Sequence, residues 1–373
     1  MMISLIPQNR SPLYTNAAGS EPNPGGARGD VLKAEETGES LSTTRLAPSA
    51  HDVARAAGVS QAAVSRAFTS GASISNATRE KVMKAALMMG YRPNLLARSL
   101  REGRSNIIGI VMGNPKNPFY MAALEALSVR LARAGKQVLF FTAAGNSQGD
   151  VHVQDLLKYR VDALLLMSTS LSSELAIQCR AEGIPVILFN RHARQSEGTC
   201  SVTGDNVSGS RQIARHLLDR GYKRLAFIAG FIDSSTSLER ETGFTGYLRE
   251  HGLDLPMRAI GHYDRAGAMA ATRELLSAAA PPDAIFCAND HMAIAAIEVA
   301  RHEFGLSIGR DLGIVGYDDI ELASWPSFDL TTCSQPIDEM IGVVIAMLTE
   351  DVGQHPHAVI PGKLLVRGST ARG

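Results

Sequence analysis

The chain has 373 residues, 45% of them apolar, and no formal net charge. That is enough for two or three domains with a large buried core. No apolar stretch reaches membrane-spanning length, and the opening MMISLIPQNR lacks the basic leader and long apolar run of a secretory signal, so the expected compartment is the cytoplasm. The charge is unevenly spread: residues 51–105 carry a net +6, against −1 for residues 1–50 and −5 for residues 106–373. A small basic module on a mildly acidic body is the asymmetry expected of a DNA-binding head.

Residues 1–48 are rich in Gly, Pro, Ser, Thr, Asn and Glu without apolar period, and are read as a disordered tail. Ser49 is placed to cap a first helix. Asp52 to Ala57 then read as helical, with Val53 and Ala56 inward and Asp52 and Arg55 outside. Gly58 permits a tight turn, Val59 plugs the angle between two helices, and Ser60 is an N-cap for the second. On that helix Ala63, Val64 and Ala67 face inward, while Gln61, Ala62, Ser65, Arg66 and Thr69 face out. The pattern is a helix-turn-helix whose second helix fits a major groove. Alone, it fits two ordinary packed helices equally well. After a polar loop, Ser75 caps a third helix ending at Gly90, with Val82, Ala85, Ala86 and Met89 inward. Residues 49–92 thus form a head near the lower size limit for independent folding.

Pro93 breaks the chain, and residues 93–105 form a hinge and linker. Within it, Asn94 to Leu100 is a short helical run with Leu95, Leu96 and Leu100 apolar and Arg98 and Arg101 basic. A helix so short is marginal in water alone. From Asn106 apolar runs alternate with amphipathic segments: NIIGIVM, QVLFFTAA, ALLLMST, PVILFN, RLAFIAG, AIFCAND and LGIVGYDD. Strands alternating with helices imply parallel sheets with crossover helices. Residues 106–373 are too long for one comfortable sheet. They are read as two Rossmann-like lobes, about 106–204 with 337–362 and about 205–336 with the C-terminal end, around a ligand cleft at the carboxyl ends of the strands. Cys179, Cys200, Cys287 and Cys333 have no metal-ligand spacing and read as buried thiols.

In this order the parts resemble the lactose/galactose repressor family of bacterial transcription regulators. The motifs that carry the resemblance are DVARAAGVSQAAVSRAF, SNATREKV and GYRPNLLARSL in the head and hinge. In the body they are NPFY (Asn117–Tyr120), AND (Ala288–Asp290), GYDD (Gly316–Asp319), LTT followed by Gln335 and Pro336, and VRGS. The resemblance implies an all-α helix-turn-helix head on an α/β body like a periplasmic binding protein. It also implies a homodimer, or a tetramer built from it, that represses or activates from operator DNA under a sugar-type effector. By position, Gln61, Ala62 and Arg66 look like base readers. Arg66 suits guanine, Gln61 suits adenine, and Ala62 offers only a methyl. Ser60, Ser65 and Thr69 look like phosphate or mixed contacts. In the hinge, Asn94, Ala97, Arg98, Leu100 and Arg101 complete the DNA set, with Leu100 as the wedge between base steps.

Carried over by motif, the effector set is Phe119, Tyr120, Asn190, Arg191, Arg240 (opening a second-lobe helix), Tyr263, Asn289, Asp318 and Gln335. Asn190 stands where many relatives have Asp, and the two arginines leave an acidic sugar open as well as a neutral one. Trp325 fits a cleft edge or a dimer contact. Two rivals remain. A periplasmic solute-binding protein needs the same body but a signal peptide and no basic head. An enzyme needs a catalytic motif, and no phosphate loop or H-E-x-x-H occurs. No catalytic, metal or cofactor set is expected.

Overall fold

The computed structural model describes residues 48–69, 71–93, 104–143, 149–169, 171–192, 199–253, 257–349 and 357–372. The tail up to residue 47 and the hinge set Asn94, Ala97, Arg98, Leu100 and Arg101 lie outside them. The chain divides into a unit ending at Pro93 and a unit beginning at Asn94.

In the first unit, α1 (Ala50–Ala57), α2 (Gln61–Ala67) and α3 (Asn76–Met89) surround one small core. Ser49 and Asp52 form a reciprocal capping box at the start of α1, and Gly58, at φ 65°, ends that helix in the left-handed region. Ser60 accepts from the Ala63 N–H, and Ser75 from the Thr78 N–H. Val53, Ala54, Val64, Ala67, Val82, Ala85 and Ala86 are buried together, with Val59, Phe68, Ile74 and Tyr91 packed against them. Two expectations fail here. Ala56 is exposed, and Ala54, adjacent to Val53, takes the inward place. Met89, the last residue of α3, stays 36% exposed. Arg79 completes the unit by donating to the Ala67 carbonyl (2.5 Å), an otherwise orphaned acceptor at the end of α2.

The second unit contains two six-stranded sheets. The first is built from β1 (Ile107–Met112), β2 (Gln137–Thr142), β3 (Ala163–Met167), β4 (Val186–Phe189), β5 (Thr199–Gly204) and β11 (His357–Ile360), in the order β11-β5-β4-β3-β1-β2, all parallel. The second holds β6 (Leu225–Ala229), β7 (Met257–Ile260), β8 (Ala284–Cys287), β9 (Gly313–Asp318), β10 (Thr331–Ser334) and β12 (Leu364–Leu365), in the order β12-β10-β9-β8-β6-β7. Only β12 of that sheet runs antiparallel. Strands β3, β4, β6, β8 and β9 are buried throughout, as parallel strands covered on both faces must be, whereas the edges β2 and β7 are half exposed.

The covering helices are α4 (Pro118–Arg133), α5 (Gly149–Leu157) and α6 (Ser173–Ala181) for the first sheet, and α7 (Asn206–Asp219), α8 (Ser235–Glu250), α9 (Arg265–Leu276) and α10 (Asp290–His302) for the second. The last helix, α11 (Ile337–Thr349), returns to the first sheet and packs on α4 and β5. The chain therefore passes between the sheets after β5, after β10 and after β11. These passages lie side by side: the Asp205 N–H donates to the Ile360 carbonyl, and the Ser334 N–H to the Lys363 carbonyl. At Gly362 a Cβ would sit 2.0 Å from the Ser334 carbonyl oxygen, so the strands cross closer than any side chain allows. All four cysteines are buried and none is in a disulfide. No helix among the described residues is long and apolar enough to cross a membrane.

Candidate functional site

Two surfaces of the molecule carry the candidate residues. On α2, Gln61, Ala62 and Arg66 are exposed, while Ala63, Val64 and Ala67 hold the opposite face in the core. Arg66 makes no ion pair or hydrogen bond among the described residues, so its guanidinium fork is free. Ser60 is occupied as the N-cap, and the Thr69 hydroxyl donates to the Ser65 carbonyl (3.0 Å). The helix offers a short polar face with one cation.

The second surface is a cleft between the two sheets, at the carboxyl ends of their strands. Its walls are Asn114, Asn117, Tyr120, Ser168, Asn190, Arg191, Ser234, Thr236, Arg240, Tyr263, Asn289 and Asp318, around at most about 260 Å3 of unfilled space. The structure thus brings together Tyr120, Asn190, Arg191, Arg240, Tyr263, Asn289 and Asp318 from the expected effector set. Phe119 and Gln335 stand behind the wall. Phe119 stacks on Phe189 in the core (centroids 6.2 Å apart) and packs edge-on to Tyr120. Gln335 donates to Asp318 at 2.6 Å. The sequence reading missed Asn114, Asn117, Ser168 and Ser234, each on a loop or cap past a strand, and Thr236 in the first turn of α8. The N-cap pattern at Asn117 and Ser234 was their only visible signal.

Arg240 is the hub, yet it lies within α8 and does not open it as expected, because Ser234 starts that helix earlier. Its side chain is 2% exposed. Nε donates to Asn206 (2.8 Å), one Nη to the Ala288 carbonyl, and the other to Asp318 Oδ1 (3.4 Å). The guanidinium carbon lies 3.8 Å from the Tyr317 ring centre. Asp318 also accepts from Asn117 of the opposite lobe (3.2 Å), so its two oxygens tie the lobes together. Burial pushes the Asp318 carboxyl above the usual carboxylate range, against the pull of Arg240 and of the Gln335 and Asn117 amides.

Behind this wall Asp290 accepts from the Thr332 hydroxyl (2.6 Å) and the Ile320 N–H (2.9 Å). A Cβ at position 316 would come within 2.0 Å of its Oδ1, so the glycine of GYDD exists to admit the aspartate of AND. Burial, then the charge of Asp318, raise the Asp290 pKa well above normal. Gly230 plays the same part for Tyr263, whose ring lies 2.1 Å from where a Cβ would be. Four wall residues, Ser168, Asn190, Tyr263 and Asp318, have positive φ, at 56°, 57°, 55° and 117°. Such backbone costs of order 1 kcal/mol per residue and concentrates where side chains must be aimed.

Two buried wall atoms lack any partner: Asn190 Oδ1 and Asn289 Nδ2. The rest of each amide is engaged, Asn190 Nδ2 on the Tyr120 hydroxyl (3.2 Å) and Asn289 Oδ1 on the Met292 N–H (3.0 Å). Trp325 follows the 3-10 turn Glu321–Ser324, is 48% exposed and is not part of the wall. No cluster of three or more metal-ligating side chains occurs among the described residues.

Comparison with known proteins agrees with this division. Residues 49–94 match the family model described as bacterial regulatory proteins, lacI family, and residues 214–370 match a periplasmic binding protein-like domain. The chain is 31% identical to the ribose operon repressor of Escherichia coli (strain K12) over 327 residues, 85% of this chain and 98% of that protein. It is 32% identical to the HTH-type transcriptional regulator AscG of the same strain, over 85% of this chain and 97% of that protein. Among solved structures, the lac repressor dimer bound to operator and the anti-inducer ONPF superposes with a TM-score of 0.76 at 26% identity, over 87% of this chain and 99% of that one. A likeness this extensive, running through both the helical head and the two-sheet body, makes the chain a DNA-binding transcriptional regulator of the lacI family.

Proposed function

We propose that the chain is a cytoplasmic, homodimeric repressor without enzymatic activity, whose hold on a two-fold operator is set by a monosaccharide-sized effector in the cleft. The observation that carries this reading is the pairing of a free polar face on α2 with a buried cleft that holds two unpartnered amide atoms. In the head, Arg66 and Gln61 read base edges in the major groove, Ala62 contacts a methyl, and Ser60, Ser65 and Thr69 position the helix on phosphates. The hinge set Asn94, Ala97, Arg98, Leu100 and Arg101 is assigned from sequence alone. In this role Leu100 wedges a base step at the operator centre and the arginines meet the backbone.

In the cleft, Tyr120, Asn190, Arg191, Arg240, Tyr263, Asn289 and Asp318 contact the effector, while Phe119 and Gln335 hold Tyr120 and Asp318 in place. The effector competes for the Asn117–Asp318 contact between lobes. It therefore favours one lobe angle over another, and in a dimer that angle sets the separation of the two hinges. A ligand shifts such an equilibrium only by its differential affinity for the two states.

The test is selection of bound duplexes from a random pool by the full chain, followed by binding titrations across salt concentrations. A palindromic consensus, with affinity falling steeply as salt rises, is expected. Equal affinity for every duplex would overturn the reading.

A further inference from the structure

We infer that the cleft is built for an anion: a monocarboxylate of monosaccharide size, such as a sugar acid, received by Arg191. The inference rests on the effector-cleft reading above and narrows it to one chemical class. Arg191 is only 5% exposed, yet it forms no hydrogen bond or ion pair with any described residue. An arginine so buried is normally held by a carboxylate, because removing its charge from water without compensation is strongly unfavourable. Here the adjacent wall residue is Asn190, a neutral amide. The one carboxylate of the wall, Asp318, is already shared among Arg240, Gln335 and Asn117. The wall thus holds two guanidiniums against one acid.

The acids behind the wall are committed elsewhere. Glu239 accepts from Asn206 (2.7 Å) and lies 3.2 Å from His192 Nδ1, and Asp290 accepts from Thr332 and Ile320. Among the residues that line the wall, one positive charge is left for the ligand to neutralise. A carboxylate matches it in charge and in the two-pronged geometry of the guanidinium. A phosphomonoester dianion would leave a negative charge unpaired among the same wall residues. The free Asn190 Oδ1 and Asn289 Nδ2 supply an acceptor and a donor for the hydroxyls of such a ligand.

The experiment is calorimetric titration of the full chain with matched pairs: gluconate and glucose, galactonate and galactose, ribonate and ribose. In at least one pair the acid is expected to bind about 100-fold tighter than the aldose, the scale set by leaving a buried charge unpaired. Arg191→Gln should abolish that preference. Asn190→Asp restores the absent carboxylate without touching Arg191, and should weaken the acid while strengthening the aldose. An aldose that binds tighter than every acid, with a preference unmoved by Asn190→Asp, would overturn the anion assignment and leave the effector cleft standing. No heat from any acid or aldose, in wild type or Asn190→Asp, would overturn both.

Discussion

The exposed face of α2 and the cleft between the two sheets use the same kinds of side chain in opposite ways. On α2 the polar groups stand free on the surface and the fold does not depend on them. In the cleft the polar groups are part of the packing: Arg240 alone joins Asn206, Ala288, Asp318 and the face of Tyr317. The difference teaches where each function is vulnerable. A change in the reader should cost recognition and spare stability, whereas a change in the cleft should cost both. Four variants sharpen or break that contrast.

The largest effect is expected from Arg240→Ala. It leaves Asp318 buried without its cation, and breaking a buried pair from one side costs about 3–5 kcal/mol. Denaturant unfolding should show that loss, and any surviving protein should bind operator without responding to effector. Gly230→Ala comes next. The new methyl group must displace the Tyr263 ring, and overpacking of this kind costs about 1–3 kcal/mol. Its melting temperature should fall, and effector affinity should fall with it.

Asp290→Asn tests the wall's electrostatics. The raised folded pKa of Asp290 means the folded chain holds its proton more tightly than the unfolded chain does. That contribution to stability is complete below the ordinary carboxylate pKa and is lost as pH rises through the raised value. Asparagine keeps the shape of the protonated acid, so the variant should lose less stability than wild type over that rise, as read from unfolding curves at a series of pH values. Arg66→Ala should change stability least, within about 0.5 kcal/mol. It should still cost about 1–3 kcal/mol of operator binding and relax specificity at one base pair in a competition assay.

Much of this was legible in the sequence where local chemistry decides the structure. Ser49, Ser60 and Ser75 cap the three head helices, and Gly58 and Gly90 end two of them, because these positions depend on nearest neighbours alone. Strands β3, β4, β6, β8 and β9 announced themselves as apolar runs. Strand β5 did not: TCSVTG is wholly or partly buried throughout, but its threonines and serine mask the signal that burial usually leaves. The edge strands β7 and β11 were hidden by their half-exposed alternation, and β12 by its two-residue length. In the site, the motif residues at strand ends were found, but Asn114, Ser168 and Thr236 belong to the cleft through long-range packing. Arg240 was misplaced along its helix because the preceding serines look like loop.

The central claim is that the cleft governs the reader. The measurement that tests it most directly is the affinity of the full chain for its selected operator, by fluorescence anisotropy at fixed salt, with and without a saturating cleft ligand. Coupling between sites usually amounts to about 5–150-fold. A change within that range, in either direction, is the expected result, and it should vanish in a folded variant altered at Arg240. An operator affinity unmoved by a ligand that demonstrably fills the cleft would contradict the account.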